Sequence, residues 1–316
     1  MSAGYIGRLA PSPTGALHLG NVRTFMVAWL RARSLGGRVI LRIEDLDHPR
    51  DKPGAAAQAV EDLRWLGFDW DEECVQSERL DLYRDAIRRL HAAGAVYPCV
   101  CTRRDVESAQ SAPHAGEQLF YPGTCRGRFA SWREAQAAKG SAPCWRFRVP
   151  DGAAVAFEDA FAGHVETDVS RTLGDFPLAR DEGGAGYTLA VVVDDLAMGV
   201  TEVVRGDDLL AATPAQILVA RALGAEREIG YCHVPLVTGP DGLRLAKRHG
   251  DTRVATYRER GVSARRIVGF LAASCGWCEK GEEIALADLV PRFTLATIPH
   301  RPFVATDQHA ATWIMV

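Results

Sequence analysis

An α/β fold with a parallel sheet, an insertion and a helical C-terminal module is predicted by three observations. The chain opens strand–helix–strand, helix-like and strand-like runs then alternate, and a cysteine-bearing stretch without helical periodicity interrupts them. Taken in order, residues 5–10 read as a short strand. The turn Pro11-Ser12-Pro13-Thr14-Gly15 follows, then an apolar-periodic helix from about 18 to 33 that stops at Gly36-Gly37. Residues 38–43 are rich in β-branched side chains and read as a second strand, completing a βαβ unit. Helices are expected over 54–66 and 80–93, the second ending at Gly94.

From Cys99 to about Asp175 the reading is of short strands (144–149 and 153–157), turns and a polar loop over 107–118. A strand is expected again over 187–193, and Thr213-Pro214 opens a helix that runs to Gly224. Beyond Gly250, Val262, Ile267, Phe270 and Leu271 recur at helical spacing. The expected division is a sheet domain over 1–98 and 176–240, an inserted subdomain over 99–175, and a loop with a helical module over 241–316.

A chain of 316 residues exceeds the size at which one core usually stops growing, which agrees with several modules. Hydrophobic residues make up 47% and charged residues 24%, so the disordered and low-complexity classes are excluded. No apolar run reaches membrane-span length and the N-terminus carries no leader-like segment, so a soluble cytoplasmic protein is expected. Net charge is −3, so any nucleic-acid contact must come from local patches. The eight cysteines are unevenly spaced, which favours burial or metal binding over a disulfide framework.

Two segments carry chemistry. Arg8-Leu9-Ala10-Pro11-Ser12-Pro13-Thr14-Gly15-Ala16-Leu17-His18-Leu19-Gly20-Asn21 places a strand end, a histidine and a glycine at the mouth of a helix, where unpaired N–H groups and the helix dipole suit a triphosphate. Gly20 is expected to let the nucleotide approach the backbone. Val237-Thr238-Gly239-Pro240-Asp241-Gly242-Leu243-Arg244-Leu245-Ala246-Lys247-Arg248-His249-Gly250 joins a glycine-rich turn to a basic cluster, and Lys247 suits charge neutralisation at phosphorus. Alone, each segment also fits an ordinary βα turn or a solvated loop.

Together the two segments resemble the paired signatures of class I aminoacyl-tRNA synthetases, which implies a Rossmann-type catalytic sheet. Arg42-Ile43-Glu44-Asp45-Leu46-Asp47, Val192-Val193-Asp194-Asp195-Leu196, Val204-Arg205-Gly206-Asp207-Asp208 and Pro214-Ala215-Gln216-Ile217-Leu218 look like the glutamyl branch of that class. The chain ends soon after the lysine motif, and Val191 stands where the full-length enzymes typically carry asparagine. Both features resemble the short paralogues, the glutamyl-queuosine tRNA(Asp) synthetases. Three positions depart from the usual signatures: Asn21 for a second histidine, Arg244 for a lysine and Ala246 for a serine. Catalysis is therefore expected to lean on His18 and Lys247.

The resemblance implies site residues. His18, Gly20, Asn21 and Lys247 would contact ATP. Arg8 and Arg205 would hold the carboxylates of glutamate, Glu44 its ammonium, and Tyr187 would pack beside them, with Leu9, Ala10, Pro11 and Ser12 lining the pocket. A pocket for glutamate needs fixed cations and an anion in any case, and Arg8, Arg205 and Glu44 supply both. The alternatives are that Glu44 forms a structural ion pair with an arginine, or that Asp45 or Asp47 is the residue that matters.

Cys99-Val100-Cys101 and Tyr121-Pro122-Gly123-Thr124-Cys125 suggest zinc, because three thiolates and a phenolate or imidazole complete a tetrahedron. The resemblance implies Tyr121 as the fourth ligand, with His114 and Cys144 as rivals. Cys275-Gly276-Trp277-Cys278 lacks the preceding strand of a redox site and reads as buried. Expected cofactors are one structural Zn²⁺ per chain and Mg²⁺ with ATP. Expected partners are ATP, L-glutamate and tRNA(Asp) carrying queuosine, handled by a monomer. A truncated synthetase charging the 3′ end of tRNA(Glu) and a silent RNA-binding module are the competing readings.

Overall fold

The computed structural model describes residues 4–46, 52–109, 120–140, 142–180, 184–243, 245 and 252–305. Its first unit is the expected one: β1 (Ile6–Leu9), α1 (Leu19–Ser34) and β2 (Arg38–Ile43), with β1 and β2 parallel in the register Arg8 opposite Ile40. α2 (Ala55–Trp65) then leads to β3 (Glu72–Val75), which adds parallel to β2. α3 (Leu80–Ala92) is amphipathic and buries Tyr83, Ala86, Ile87 and Leu90.

The stretch beginning at Cys99 contains helices as well as strands. After β4 (Val96–Cys99) come α4 (Arg103–Ala109) and α5 (Trp132–Lys139). Next are β5 (Cys144–Phe147), the hairpin β6 (Ala154–Asp159) and β7 (Gly163–Asp168), the single turn α6 (Val169–Thr172) and β8 (Phe176–Ala179). This corrects the expectation of no helices there. Short helices defeat a periodicity test, but α5 has a readable start: the Ser131 side chain accepts from Glu134 N, the Glu134 carboxylate accepts from Ala130 N, and Gly140 ends it at φ 68°. β4, β5 and β8 form an antiparallel sheet.

The run over 187–193, read as a strand, is the helix α7 (Tyr187–Ala197). Its consecutive residues Leu189 to Val193 are all buried, so packing on every side overrides the β-branched preference of three valines. Gly186 caps it, where a Cβ would lie 2.7 Å from the Leu178 carbonyl oxygen. β9 (Glu202–Gly206) is followed by a 3₁₀ segment, α8 (Thr213–Ala222), β10 (Gly230–Val234) and β11 (Val237–Thr238). Ala212, not Thr213, is the α8 cap residue, and the Thr213 hydroxyl is used elsewhere.

β9 and β10 are parallel, and β6 adds to the far edge of β10, so one end of the 99–175 stretch shares a sheet with β9 and β10. On the other side β9 adjoins β1, where Thr201 N donates to Ile6 O at 2.9 Å. The spatial order β3-β2-β1 and then β9-β10-β6-β7 reverses direction between β1 and β9. Such a reversal opens a crevice at the carboxyl ends of the strands. α9 (Val254–Glu259), α10 (Ala264–Ala273) and β12 (Phe303–Val304) follow, with β12 pairing onto β11. The main core includes Val22, Met26 and Leu30 of α1, Leu41 of β2 and Ile267 and Leu271 of α10, so the C-terminal module shares the core of the first unit.

Candidate active site

Four strand ends converge at the crevice: Arg8 and Leu9 from β1, Arg42 to Glu44 from β2, Arg205 from β9 and His233 from β10. Arg8 is buried, donates from Nη1 to Val204 O at 3.0 Å and stands 3.5 Å from Asp195 Oδ1. Glu44 Oε1 accepts two bonds from Arg42, at 3.0 and 3.3 Å, and Arg42 Nη1 donates to Asp195 Oδ1 at 2.6 Å. Glu44 is thus ion-paired, with Arg42 and not with either arginine assigned to glutamate. Burial pushes the Glu44 carboxyl above its ordinary range, against the pull of Arg42 and Arg8. Tyr187 opens α7 at 46% exposure, and its phenol is electrostatically coupled to Glu44, Arg205 and Arg8. The structure therefore brings Arg8, Glu44, Tyr187 and Arg205 to one place.

Arg205 is held from behind. Its Nε donates to His233 Nε2 at 2.9 Å and its Nη2 to Thr213 Oγ1 at 2.7 Å. Burial and the neighbouring Arg8 lower its pKa, partly opposed by the Tyr187 phenol. Beneath the site, Asp194 of α7 accepts from Gln76, Arg79 and Tyr83 at 2.7 to 2.8 Å, so this buried carboxylate is fully partnered. Arg42, Asp195, His233, Thr213 and Asp194 were assigned no place in the site by the sequence reading. Arg42 and the aspartate pair lay inside quoted motifs, whereas the His233 partner Asp159 is distant in sequence and left no local signal.

Of the pocket-lining run, Leu9 is fully buried in the core, so its side chain is structural. Ala10 is half-buried, Pro11 buried and Ser12 exposed. Asp45 accepts from Ser77 N at 2.8 Å and Ser77 Oγ at 2.6 Å, which fixes the start of a 3₁₀ turn. Asp47 lies outside the described residues.

His18 is the N-cap of α1. Its Nδ1 accepts from Gly20 N at 3.2 Å and Asn21 N at 3.4 Å, while Asn21 Oδ1 accepts from His18 N at 3.3 Å. With Nδ1 accepting, the neutral imidazole carries its proton on Nε2 as a donor. Asn21 thus has a structural use: it closes the cap that orients His18. A Cβ on Gly20 would meet the His18 ring at 3.1 Å, so this glycine makes room for the imidazole. Both flanks of the second motif touch the first: Val237 lies against Gly20, and Leu19 N donates to Thr252 O at 3.1 Å. Arg244, Ala246 and Lys247 lie outside the described residues.

Away from the crevice, the Sγ atoms of Cys99, Cys101 and Cys125 lie within 4.8 Å of one another. Tyr121 Oη is 3.3 Å from Cys99 Sγ and 3.6 Å from Cys101 Sγ, and Cys101 and Cys125 are 3.6 Å apart. A tetrahedron with Zn–S bonds of ~2.3 Å has edges of ~3.7 Å, so this donor set fits zinc. Cys144 faces Cys99 across the β4–β5 pair and lies outside that three-cysteine cluster. The neighbouring Cys144 pulls the Cys99 thiol down, and its own thiol is pushed up by Cys99 and by burial. His114 lies outside the described residues. Cys275 is buried and Cys278 half-buried, the latter donating to Gly269 O at 3.3 Å.

Comparison with known proteins agrees with this geometry. The family model described as tRNA synthetases class I (E and Q), catalytic domain, matches residues 6–308. A glutamyl-Q tRNA(Asp) synthetase of Symbiobacterium thermophilum is 50% identical over 307 residues, covering 94% of each chain. One of Rhodopirellula baltica is 46% identical over 99% of this chain and 100% of its own. A glutamate–tRNA ligase 1 of Acidithiobacillus ferrooxidans is 40% identical over 97% of this chain and 64% of its own. The crystal structure of a glutamate tRNA ligase from Elizabethkingia meningosepticum, in complex with its amino acid, superposes with a TM-score of 0.83 at 26% identity, covering 98% of this chain and 69% of that one. With strand-end geometry, family model and near-full-length relatives in agreement, the chain belongs to the class I tRNA synthetases of the E and Q family, alongside the glutamyl-Q tRNA(Asp) synthetases, and is a ligase.

Proposed function

We propose that the chain activates glutamate with ATP and transfers it to the queuosine at the wobble position of tRNA(Asp). The observation that carries the amino-acid part is the convergence of Arg8, Arg205, Glu44 and Tyr187 at one crevice. Arg8 and Arg205 hold the two carboxylates, Glu44 takes the ammonium through the oxygen that Arg42 leaves unused, and Tyr187 covers the bound side chain. His18 donates from Nε2 to a phosphate oxygen, and Lys247 neutralises charge on the leaving pyrophosphate. Mg²⁺ bound with ATP would supply further screening of the phosphate charge. The glutamate α-carboxylate attacks the α-phosphorus in line, forming the acyl–phosphate bond as the bond to pyrophosphate breaks. A queuosine hydroxyl then attacks the acyl carbon and AMP leaves. Positioning and charge stabilisation account for the chemistry, and no covalent enzyme intermediate is needed.

Queuosine as acceptor is supported by the names of relatives at 44–50% identity that match this chain over 94–100% of their length. Cys99, Cys101, Tyr121 and Cys125 are proposed to hold a structural zinc that shapes the 99–175 subdomain, retained with the 1–98/176–240 and 241–316 units as our division of the chain. Glutamate-dependent exchange of labelled pyrophosphate into ATP, run without tRNA, tests the activation step. Exchange is expected with glutamate and not with glutamine or aspartate, and absence of exchange contradicts the proposal.

A further inference from the structure

Arg205 is buried and its guanidinium is fixed by a chain of hydrogen bonds that ends on a residue from the 99–175 stretch. Asp159 closes β6, and its side chain and that of His233 are fully buried. Asp159 Oδ2 lies 2.6 Å from His233 Nδ1, and His233 Nε2 lies 2.9 Å from Arg205 Nε. Arginine can only donate, so Nε2 must accept and the imidazole proton must sit on Nδ1, donated to Asp159. Thr213 Oγ1, 3.1 Å from the same Nε2, accepts from Arg205 Nη2 and so braces the guanidinium from a second direction.

We propose that Asp159 and His233 are positioning residues that set the orientation of Arg205 for the glutamate carboxylate by fixing the His233 tautomer. The supporting electrostatics agree. Burial and the adjacent Arg205 and Arg8 cations keep His233 below its ordinary range, hence neutral, against the pull of Asp159. Burial opposes ionisation of Asp159, but the imidazole and three backbone N–H groups outweigh it and hold the carboxyl down to about 2. The inference rests on the reading of Arg205 as a glutamate ligand.

Asp159→Asn is the discriminating variant. Oδ1 of Asp159 accepts from the backbone N–H groups of Phe161, Ala162 and His233 at 3.0, 2.8 and 3.1 Å. An asparagine must keep its oxygen there, which turns its NH₂ toward His233 Nδ1. The imidazole then accepts at Nδ1 and carries its proton on Nε2, aimed at the Arg205 Nε–H. A charged hydrogen bond is replaced by two opposed donors, so KM for glutamate in pyrophosphate exchange should rise about 10- to 100-fold, with kcat at saturating glutamate and KM for ATP little changed. A purely structural Asp159 would instead lower the melting temperature and the active fraction and leave KM for glutamate alone.

Nitrogen-15 spectra of histidine-labelled protein give a readout independent of activity, with the His233 signal assigned by its loss in His233→Gln. The wild type should show a protonated Nδ1 and a bare Nε2, and Asp159→Asn the reverse. His233→Gln, which retains an acceptor for Arg205, should raise KM for glutamate far less than His233→Leu, and this pair decides the matter if Asp159→Asn does not fold. A wild-type Nε2–H tautomer, unchanged KM in Asp159→Asn, or equal KM in the two His233 variants overturns the proposal. Arg205→Met separates the two levels: unchanged KM there removes the glutamate reading itself, whereas raised KM there with unchanged KM in Asp159→Asn removes only the relay.

Discussion

At Glu44 the charge environment sets a pH dependence whose sign can be worked out. Burial raises its pKa above that of an ordinary glutamate, and only the ionised form can take an ammonium. As the pH falls and the carboxylate gains its proton, KM for glutamate should rise while KM for ATP does not, measured by pyrophosphate exchange. A glutamate KM that is flat on the acid side contradicts the ammonium role. His18→Ala and Lys247→Ala should each slow adenylate formation about 10²- to 10³-fold with the fold intact, since each removes one donor to developing phosphate charge. Full exchange activity in Lys247→Ala would show that the second motif does not serve the phosphates. That Arg8, Glu44 and Arg205 lie together was legible because each sits in a segment with a family pattern. The supports His233 and Asp159 were not, because the hydrogen bond between them joins residues far apart in the chain. Only the sheet order, with β6 beside β10, brings them together.

Among the elements, β1, α1 and β2 were legible almost to the residue, since cap, periodicity and terminating glycines all agree there. α7 was misread because a helix buried on all sides has no polar face to reveal its period. α10 offers a clean test of packing. A Cβ on Gly269 would lie 1.8 Å from the Glu282 carbonyl oxygen, so Gly269→Ala must push the helix off the following segment. A loss of about 1–3 kcal/mol is expected, seen as a lowered melting temperature. An unchanged melting temperature would mean that the segment after α10 is not packed this closely. For the β4 end and the Tyr121–Cys125 turn, elemental analysis of protein purified without chelator should find about one zinc per chain. Cys125→Ser should lose it, and a metal-free protein that is folded and active would remove the zinc assignment.

Across the whole molecule, the proposed site lies where the strand order reverses, between β1 and β9, and the C-terminal module returns to the first motif through Thr252 and Arg253. The catalytic architecture was legible from two motifs and a βαβ opening, whereas the join of β6 to the catalytic sheet was not, because pairing between distant strands has no local signature. Among the described residues no helix is long and apolar enough to cross a membrane. The central claim is the identity of the RNA acceptor, and one measurement addresses it directly. Labelled glutamate, ATP and Mg²⁺ are supplied with tRNA(Asp) from queuosine-sufficient cells, tRNA(Asp) from queuosine-deficient cells, and tRNA(Glu). Label should enter only the first. Efficient charging of tRNA(Glu), or equal charging of the two tRNA(Asp) samples, would contradict the account.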